Sequence, residues 1–144
     1  MASHTHRQVE ERIRDSFARQ SMMASIGATI VSVESGRVTL TAPTGEGFRQ
    51  QQGFAHAAVV FALGDSAAGY AALTMIPPEA EVMTVEMKIN LLSPGEGCLV
   101  AEGRVLKGGR RLVVVAADVW AELDGGGRRH VAVLQGTMIP VDHR

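Results

Sequence analysis

Residues 55–76, AHAAVVFALGDSAAGYAALTMI, form the stretch of sequence that decides the fold. Most of its residues are small and apolar, and Asp65 is the only charged residue in it besides the titratable His56. Pro77 and Pro78 follow directly. Proline ends a helix because it lacks the amide hydrogen and its ring clashes with the preceding turn. The pattern therefore predicts one long apolar helix that stops before the two prolines.

A membrane span is the alternative interpretation of this helix, because its length suits a bilayer. The run is rich in Ala and Gly rather than Leu and Ile, and a carboxylate such as Asp65 is costly in lipid. We therefore predict no membrane association and a helix buried in a globular protein. Gly64 and Gly69 each cost about 1 kcal/mol of helix propensity relative to Ala. A helix that accepts this cost is expected to contact neighbours closely on more than one side: a sheet, and a second subunit.

The rest of the sequence predicts one further helix and six strands. Val9, Ile13 and Phe17 recur every four residues, which predicts an amphipathic helix within residues 1–24. The predicted strands lie at 30–33, 38–41, 83–92, 99–107, 112–123 and 131–139, and a polar loop lies at 45–53. Short, turn-rich connections predict that consecutive strands pair antiparallel. The order of elements predicts an α+β fold in which one antiparallel sheet wraps around the long central helix.

Composition limits the classes of function. The 144 residues suit one domain, and 46% hydrophobic with 20% charged residues excludes a disordered chain. A net charge of -1 gives no electrostatic case for nucleic-acid binding. Cys98 is the only cysteine, so neither an internal disulfide nor a cysteine-based zinc cluster is expected, and the scattered histidines suggest no metal site. With no signal peptide visible, we predict a cytoplasmic protein.

Asp65 is the candidate for chemistry, because an acid in an apolar helix must be paired, protonated or functional. It is either a structural acid bonded to a nearby amide or Arg, or a general base or nucleophile at a pocket. The helix begins near Ala57, and its first amides lack internal acceptors and suit a polarised carbonyl. Eight positions separate Ala57 from Asp65, about 12 Å along a helix. If both act on one carbonyl, they belong to two chains whose long helices pack antiparallel.

Residues 56–71 resemble the signature of the hotdog-fold acyl-CoA thioesterases of the phenylacetate-pathway (PaaI-like) family, which is H-G-G, four residues, then L-A-D and small residues. The resemblance continues through 84–94 and covers 26–139, nearly the whole chain. It implies a single hotdog domain over 1–144, with an N-terminal helix at 1–24 and the hotdog core at 26–140. It also implies hydrolysis of an acyl-CoA thioester to free acid and CoA, with no cofactor. The implied assembly is a homodimer or homotetramer with the active site across the dimer interface.

The resemblance also implies roles for five residues. Asp65 matches the catalytic carboxylate, which acts as nucleophile or as base on water. Ala57 matches a glycine whose amide polarises the thioester carbonyl, although this chain has His-Ala-Ala in place of His-Gly-Gly. Gln50 stands where an Asn or Gln orients the thioester or the water. Thr84 matches a Ser or Thr that holds the water, and His56 matches an orienting histidine at the helix start.

Substrate contacts are predicted at two further places. Beside Ala58 at the helix start, the acyl pocket is expected to draw on the large side chains Phe48, Phe54, Phe61, Tyr70 and Met83. The phosphates of CoA call for basic partners, and a cluster of them lies at one predicted hairpin: Lys107, Arg110 and Arg111. Such a cluster is equally typical of a solvated turn.

Three other functions stay open on sequence alone. The first is a non-catalytic hotdog protein that binds acyl-CoA, because Ala57 replaces the usual glycine. The second is a hotdog hydratase or dehydratase, in which His56 would take part in catalysis. The third is a purely structural oligomer, which would not bind coenzyme A.

Overall fold

The computed structural model describes residues 5–142. The terminal residues of the predicted ranges, 1–4 and 143–144, lie outside this description. The helices are α1 His6–Arg19, α2 Ser21–Ser25 and α3 Ala57–Leu73. The strands are β1 Thr29–Glu34, β2 Arg37–Pro43, β3 Ala80–Leu91, β4 Cys98–Gly108, β5 Val113–Glu122 and β6 Arg128–Asp142.

The strands form one antiparallel sheet in the order β1-β2-β4-β5-β6-β3. Helix α3 packs across β2 to β6, so its apolar surface is covered along most of its length. The predicted α+β hotdog fold, with a sheet wrapped around one long central helix, is confirmed. Among the helices of residues 5–142, none combines the length and apolar character needed to cross a membrane.

The prediction that consecutive strands pair is wrong for β3 and β4. Strand β4 pairs with β2, whereas β3 pairs with β6 and forms an edge of the sheet. The residues of β4 and β3 suit these two positions in the sheet. Gly103 of β4 lies so close to α3 that an added Cβ would stand 2.2 Å from the carbonyl carbon of Ala67. Strand β3 carries exposed residues at Met83 to Glu86, which suit an edge.

The predicted N-terminal helix is also two helices rather than one. Thr5 caps α1 in a capping box with Gln8, and Ile13 on its apolar stripe is buried. At Gln20 the backbone is extended (φ -86°, ψ 94°), and α2 begins at the next residue. No Gly or Pro marks this break, so the hydrophobic period alone did not show it.

A β-bulge in β3 decides which side chains face α3. Thr84 pairs with Met138 and Glu86 pairs with Thr137, so Val85 is the extra residue. One added residue reverses the alternation of the strand. As a result Thr84 and Met87, three positions apart, point to the same side of the sheet, towards the helix.

Candidate active site

Asp65 lies in the middle of α3, where the small residues around it leave its carboxylate half-buried rather than covered. The hydroxyl of Thr84 donates a hydrogen bond to Oδ1 of Asp65 at 2.9 Å. Burial raises the pKa of Asp65 above its ordinary value, and the bond from Thr84 opposes that rise. The carboxylate is thus oriented by one partner and keeps a face towards a pocket.

This pocket, here called the Asp65 pocket, has a volume of about 220 Å³. Asp65 and Thr84 line it together with Gly69 and Leu73, which follow on α3, and Met138 of β6. Its remaining lining comes from side chains that carry hydrogen-bonding groups: Ser16, Gln20, Ser66, Tyr70 and Glu81, with Val82 beside them. The pocket therefore has the Asp65 carboxylate, apolar sides and a polar wall that includes a second carboxylate, Glu81.

The start of α3 forms a second feature. His56 is the N-cap residue, and its Nδ1 accepts a hydrogen bond from the amide of Ala58 at 2.9 Å. Within residues 5–142, the amide of Ala57 has no protein acceptor. An unused amide at the positive end of a helix is suited to bind a carbonyl oxygen. His56 thus shapes the helix start, and Ala57 presents the free donor.

A second pocket, the Ala57 pocket, lies at this helix start and has a volume of about 290 Å³. Gln50, Phe54 and Ala57 line it, as the sequence predicted for one site, together with residues of the 91–95 turn. The amide group of Gln50 is tied into its own loop, because its oxygen accepts from the Gln52 amide and its nitrogen donates to the Gln52 side chain. Gln50 therefore reaches the pocket wall as part of an ordered loop.

Four predicted catalytic residues form two separate groups in one chain, here called half-sites: Gln50 and Ala57 in the Ala57 pocket, and Asp65 and Thr84 in the Asp65 pocket. Ala57 and Asp65 line different pockets, in agreement with their separation of about 12 Å along the helix. Ala58 is exposed at the helix start, and Phe61 is half-buried against the core. Neither residue lines either of the two pockets.

The basic residues lie at the opposite end of the molecule from Ala57. Lys107, Arg110 and Arg111 are exposed at the β4–β5 hairpin. Arg110 lines a separate cavity of about 600 Å³ with Met75, which follows the C-terminal end of α3. A single chain therefore does not bring these basic residues to either half-site.

Sequence reasoning missed two N-terminal side chains that line the Asp65 pocket, Ser16 of α1 and Gln20 directly after that helix. Ser16 and Gln20 both bond to the hydroxyl of Tyr70, at 3.3 and 3.0 Å. Tyr70 itself was a predicted pocket residue, and a phenol in an apolar helix signals that a polar partner exists. Nothing in the sequence showed which distant residues supply that partner.

Together the fold and the half-sites define the class: a hotdog-fold protein with an acid on its central helix and a free amide at that helix's start. A family model described as the thioesterase superfamily matches residues 52–127, more than half of the chain. The chain therefore belongs to the thioesterase superfamily, and the predicted resemblance to PaaI-like hotdog thioesterases is confirmed. The general prediction of a hydrolase that acts on thioesters is thereby confirmed.

Three similar proteins support this membership. A thioesterase family protein from Silicibacter pomeroyi, of known crystal structure, is 41% identical with a TM-score of 0.89, covering 94% of this chain and 99% of that one. The PaaI protein of E. coli, from the phenylacetic acid degradation operon, has the same fold, with 18% identity, a TM-score of 0.83 and 94% of each chain covered. A Saccharolobus solfataricus protein, provisionally named an esterase, is 32% identical over 97 residues, 67% of this chain and 68% of that protein.

Proposed function

We propose that the protein is an acyl-CoA thioesterase, which hydrolyses an acyl-CoA to the free acid and CoA. One observation carries the proposal: a carboxylate oriented by Thr84 faces a pocket, and the same helix presents the unused Ala57 amide one half-site away. A carboxylate and an oxyanion-type donor are the two groups that thioester hydrolysis needs.

The two half-sites require a second copy of the chain to act on one carbonyl. Strand β3 pairs with β6 on one side, and within residues 5–142 its other side pairs with no strand. Met83 and Val85 on this edge are 59% and 57% exposed, and an edge strand with exposed apolar side chains can pair with another chain. We propose a homodimer in which two β3 strands pair antiparallel about a twofold axis. The α3 helices then run antiparallel, and Ala57 of one copy faces Asp65 of the other.

The proposed reaction follows from this arrangement. The Ala57 amide hydrogen-bonds the thioester oxygen and stabilises the negative charge that develops on it. Asp65 either attacks the carbonyl carbon, giving an anhydride that water then opens, or takes a proton from a water that attacks instead. In both routes the C–S bond breaks, the thiolate of CoA leaves and is protonated, and the acid is released. Thr84 keeps the carboxylate oriented throughout.

Other predicted contacts belong to the same proposal. Gln50 and Phe54, in the Ala57 pocket, would contact the thioester arm of the substrate near the partner's carboxylate. Lys107, Arg110 and Arg111, the predicted phosphate contacts, are exposed cations at the end of the chain opposite Ala57, so the proposed dimer does not place them beside the Ala57 pocket. The capping bond from the Ala58 amide engages Nδ1 of His56, so a hydratase mechanism would have to use Nε2, and substitution of His56 tests that alternative.

The test is the Asp65→Asn variant, assayed by thiol release from a panel of acyl-CoAs. We expect a loss of kcat of about 10²- to 10⁴-fold, as for removal of a general base. Asp124→Asn is the matched control, because Asp124 is exposed in the β5–β6 turn, and it should retain wild-type activity. A wild-type protein that binds acyl-CoA without turnover would instead support the non-catalytic binding protein, and equal rates for both variants would remove Asp65 from the mechanism.

A further inference from the structure

The break between α1 and α2 has a role that helix packing alone does not explain. Helix α1 ends at Arg19, and the extended backbone of Gln20 turns the chain before α2. At this break the Gln20 side chain enters the wall of the Asp65 pocket. It does so from the N-terminal segment, where Ser16 of α1 lines the same pocket and Phe17 packs against Tyr70 of α3.

Gln20 is bound at both ends of its amide group. Its Nε2 donates to the hydroxyl of Tyr70 at 3.0 Å, and its Oε1 accepts from the hydroxyl of Ser66 at 3.3 Å. Ser16 lies within 3.3 Å of the same tyrosine oxygen. The ring of Tyr70, only 5% exposed, is held against Phe17 at a centroid distance of 5.9 Å.

These groups satisfy one another, so the wall is complete without a ligand. An acyl chain that pushed past it would separate the hydroxyl of the buried Tyr70 from the half-buried Gln20, and an unmatched buried polar group is costly. Along α3, Asp65, Gly69 and Leu73 follow at intervals of four residues, about 6 Å each. Gly69 keeps this path open beside Asp65, and the polar wall of Gln20 and Tyr70 limits its extent.

We propose that Gln20 is a specificity-determining residue that limits the acyl group to short chains. The inference rests on the proposed function, since it assumes that the acyl group of the thioester enters the Asp65 pocket. That entry follows from geometry: the carbonyl carbon must lie against the Asp65 carboxylate, and the CoA portion extends towards the partner's Ala57 pocket. The pocket volume of about 220 Å³ is below the usual ligand-site range of roughly 300–1,000 Å³, which also favours a compact acyl group.

The first experiment compares kcat/KM for straight-chain acyl-CoAs from acetyl to decanoyl. The wild type should prefer butanoyl- over octanoyl-CoA. In Gln20→Ala the octanoyl-to-butanoyl ratio should rise about tenfold or more, the factor that one accommodated methylene is worth. Tyr70→Phe removes the same hydrogen bond but keeps the aromatic ring, so it should raise the ratio less. Gln135→Ala, an exposed glutamine of β6, is the matched control and should keep the wild-type ratio.

The second experiment measures the Kd of non-hydrolysable S-alkyl-CoA thioethers of the same lengths, and so separates the inference from the proposed function. A length cut-off in binding that Gln20→Ala moves to longer chains supports the role of Gln20, even if the wild type turns over no acyl-CoA. An unchanged length profile in both Gln20→Ala and Tyr70→Phe overturns the inference while leaving the thioesterase proposal intact. Failure of the wild type to bind any thioether overturns both.

Discussion

Asp65 is subject to two opposing influences that set the pH range of the proposed reaction. Burial raises its pKa, and the hydrogen bond from Thr84 stabilises the ionised form. Catalysis as base or nucleophile needs the ionised carboxylate, so the rate should fall as pH decreases through this raised pKa. Glu81 of β3 and Tyr70 of α3 are the other titratable groups that line the pocket.

Thr84→Val tests this balance with little change of shape. Loss of the hydroxyl removes the bond that favours the ionised form, so the pKa of Asp65 should rise further. The acid limb of the kcat–pH profile should move to higher pH, and the loss of rate should be larger at pH 5 than at pH 8. A profile whose acid limb does not move would mean that another group controls it.

His56 is the second residue whose role can be separated by substitution. Asparagine is a good N-cap, whereas alanine is not, so His56→Ala should lower the free energy of unfolding by about 1 kcal/mol and His56→Asn by less. We expect His56→Asn to retain most thioesterase activity and neither variant to hydrate an enoyl-CoA. Denaturant titration and thiol release measure the two effects. An inactive but stable His56→Asn variant would assign the imidazole a proton-transfer role.

Site residues whose role shows within one stretch of the sequence could be predicted. Site residues whose role depends on contacts between distant stretches could not. Asp65 could be predicted because a lone acid in an apolar helix must be paired, protonated or functional. The role of Thr84 was implied by the resemblance. Gln20 carried no such signal, because its importance depends on a backbone break and on Tyr70, fifty positions later in the chain.

The contact between α3 and β4 determines how closely the helix approaches the sheet. Gly103 permits it: an added Cβ would lie within 2.4 Å of backbone atoms of Ala67 and Ala68, which have no freedom to move away. The helix and its half-sites are therefore placed by the close approach of two backbones. Small residues on α3 indicated this approach, but they did not show which strand supplies it.

Gly103→Ala should be destabilising by about 1–3 kcal/mol or more, because overpacking against backbone is not relieved by a rotamer change. Gly47→Ala is the matched control, since an added Cβ there meets nothing within 4 Å. The midpoint of urea unfolding measures both. Equal stability of the two variants would contradict the close contact between β4 and α3.

Strand order illustrates why elements are easier to predict than their neighbours. Alternating residues and turn signals located all six strands, yet a strand's own pattern does not name its partners. The position of β3 beside β6 and the bulge at Val85 both depend on contacts between segments far apart in sequence. The bulge in turn brings Thr84 to Asp65, a proximity that the resemblance implied but that the pattern of the strand itself did not show.

In the proposed assembly, one active site takes its groups from two chains. Within one chain, Asp65 and Ala57 line separate pockets, which is the observation that motivates the proposal. The free edge of β3 offers the surface through which a twofold pair would form. The dimer stays a prediction. It depends on side chains of β3 that are exposed in a single chain, chiefly Met83 and Val85.

Subunit complementation tests this claim most directly. Asp65→Asn removes the carboxylate, and Ala57→Pro removes the amide hydrogen at the first helical position, where proline is tolerated. Each variant alone should be inactive. In a mixed dimer, one of the two sites pairs the intact Asp65 with the intact Ala57, so unfolding and refolding an equal mixture should restore about a quarter of wild-type activity. A mixture that forms heterodimers, verified by mass, and stays as inactive as its parents would contradict the shared site.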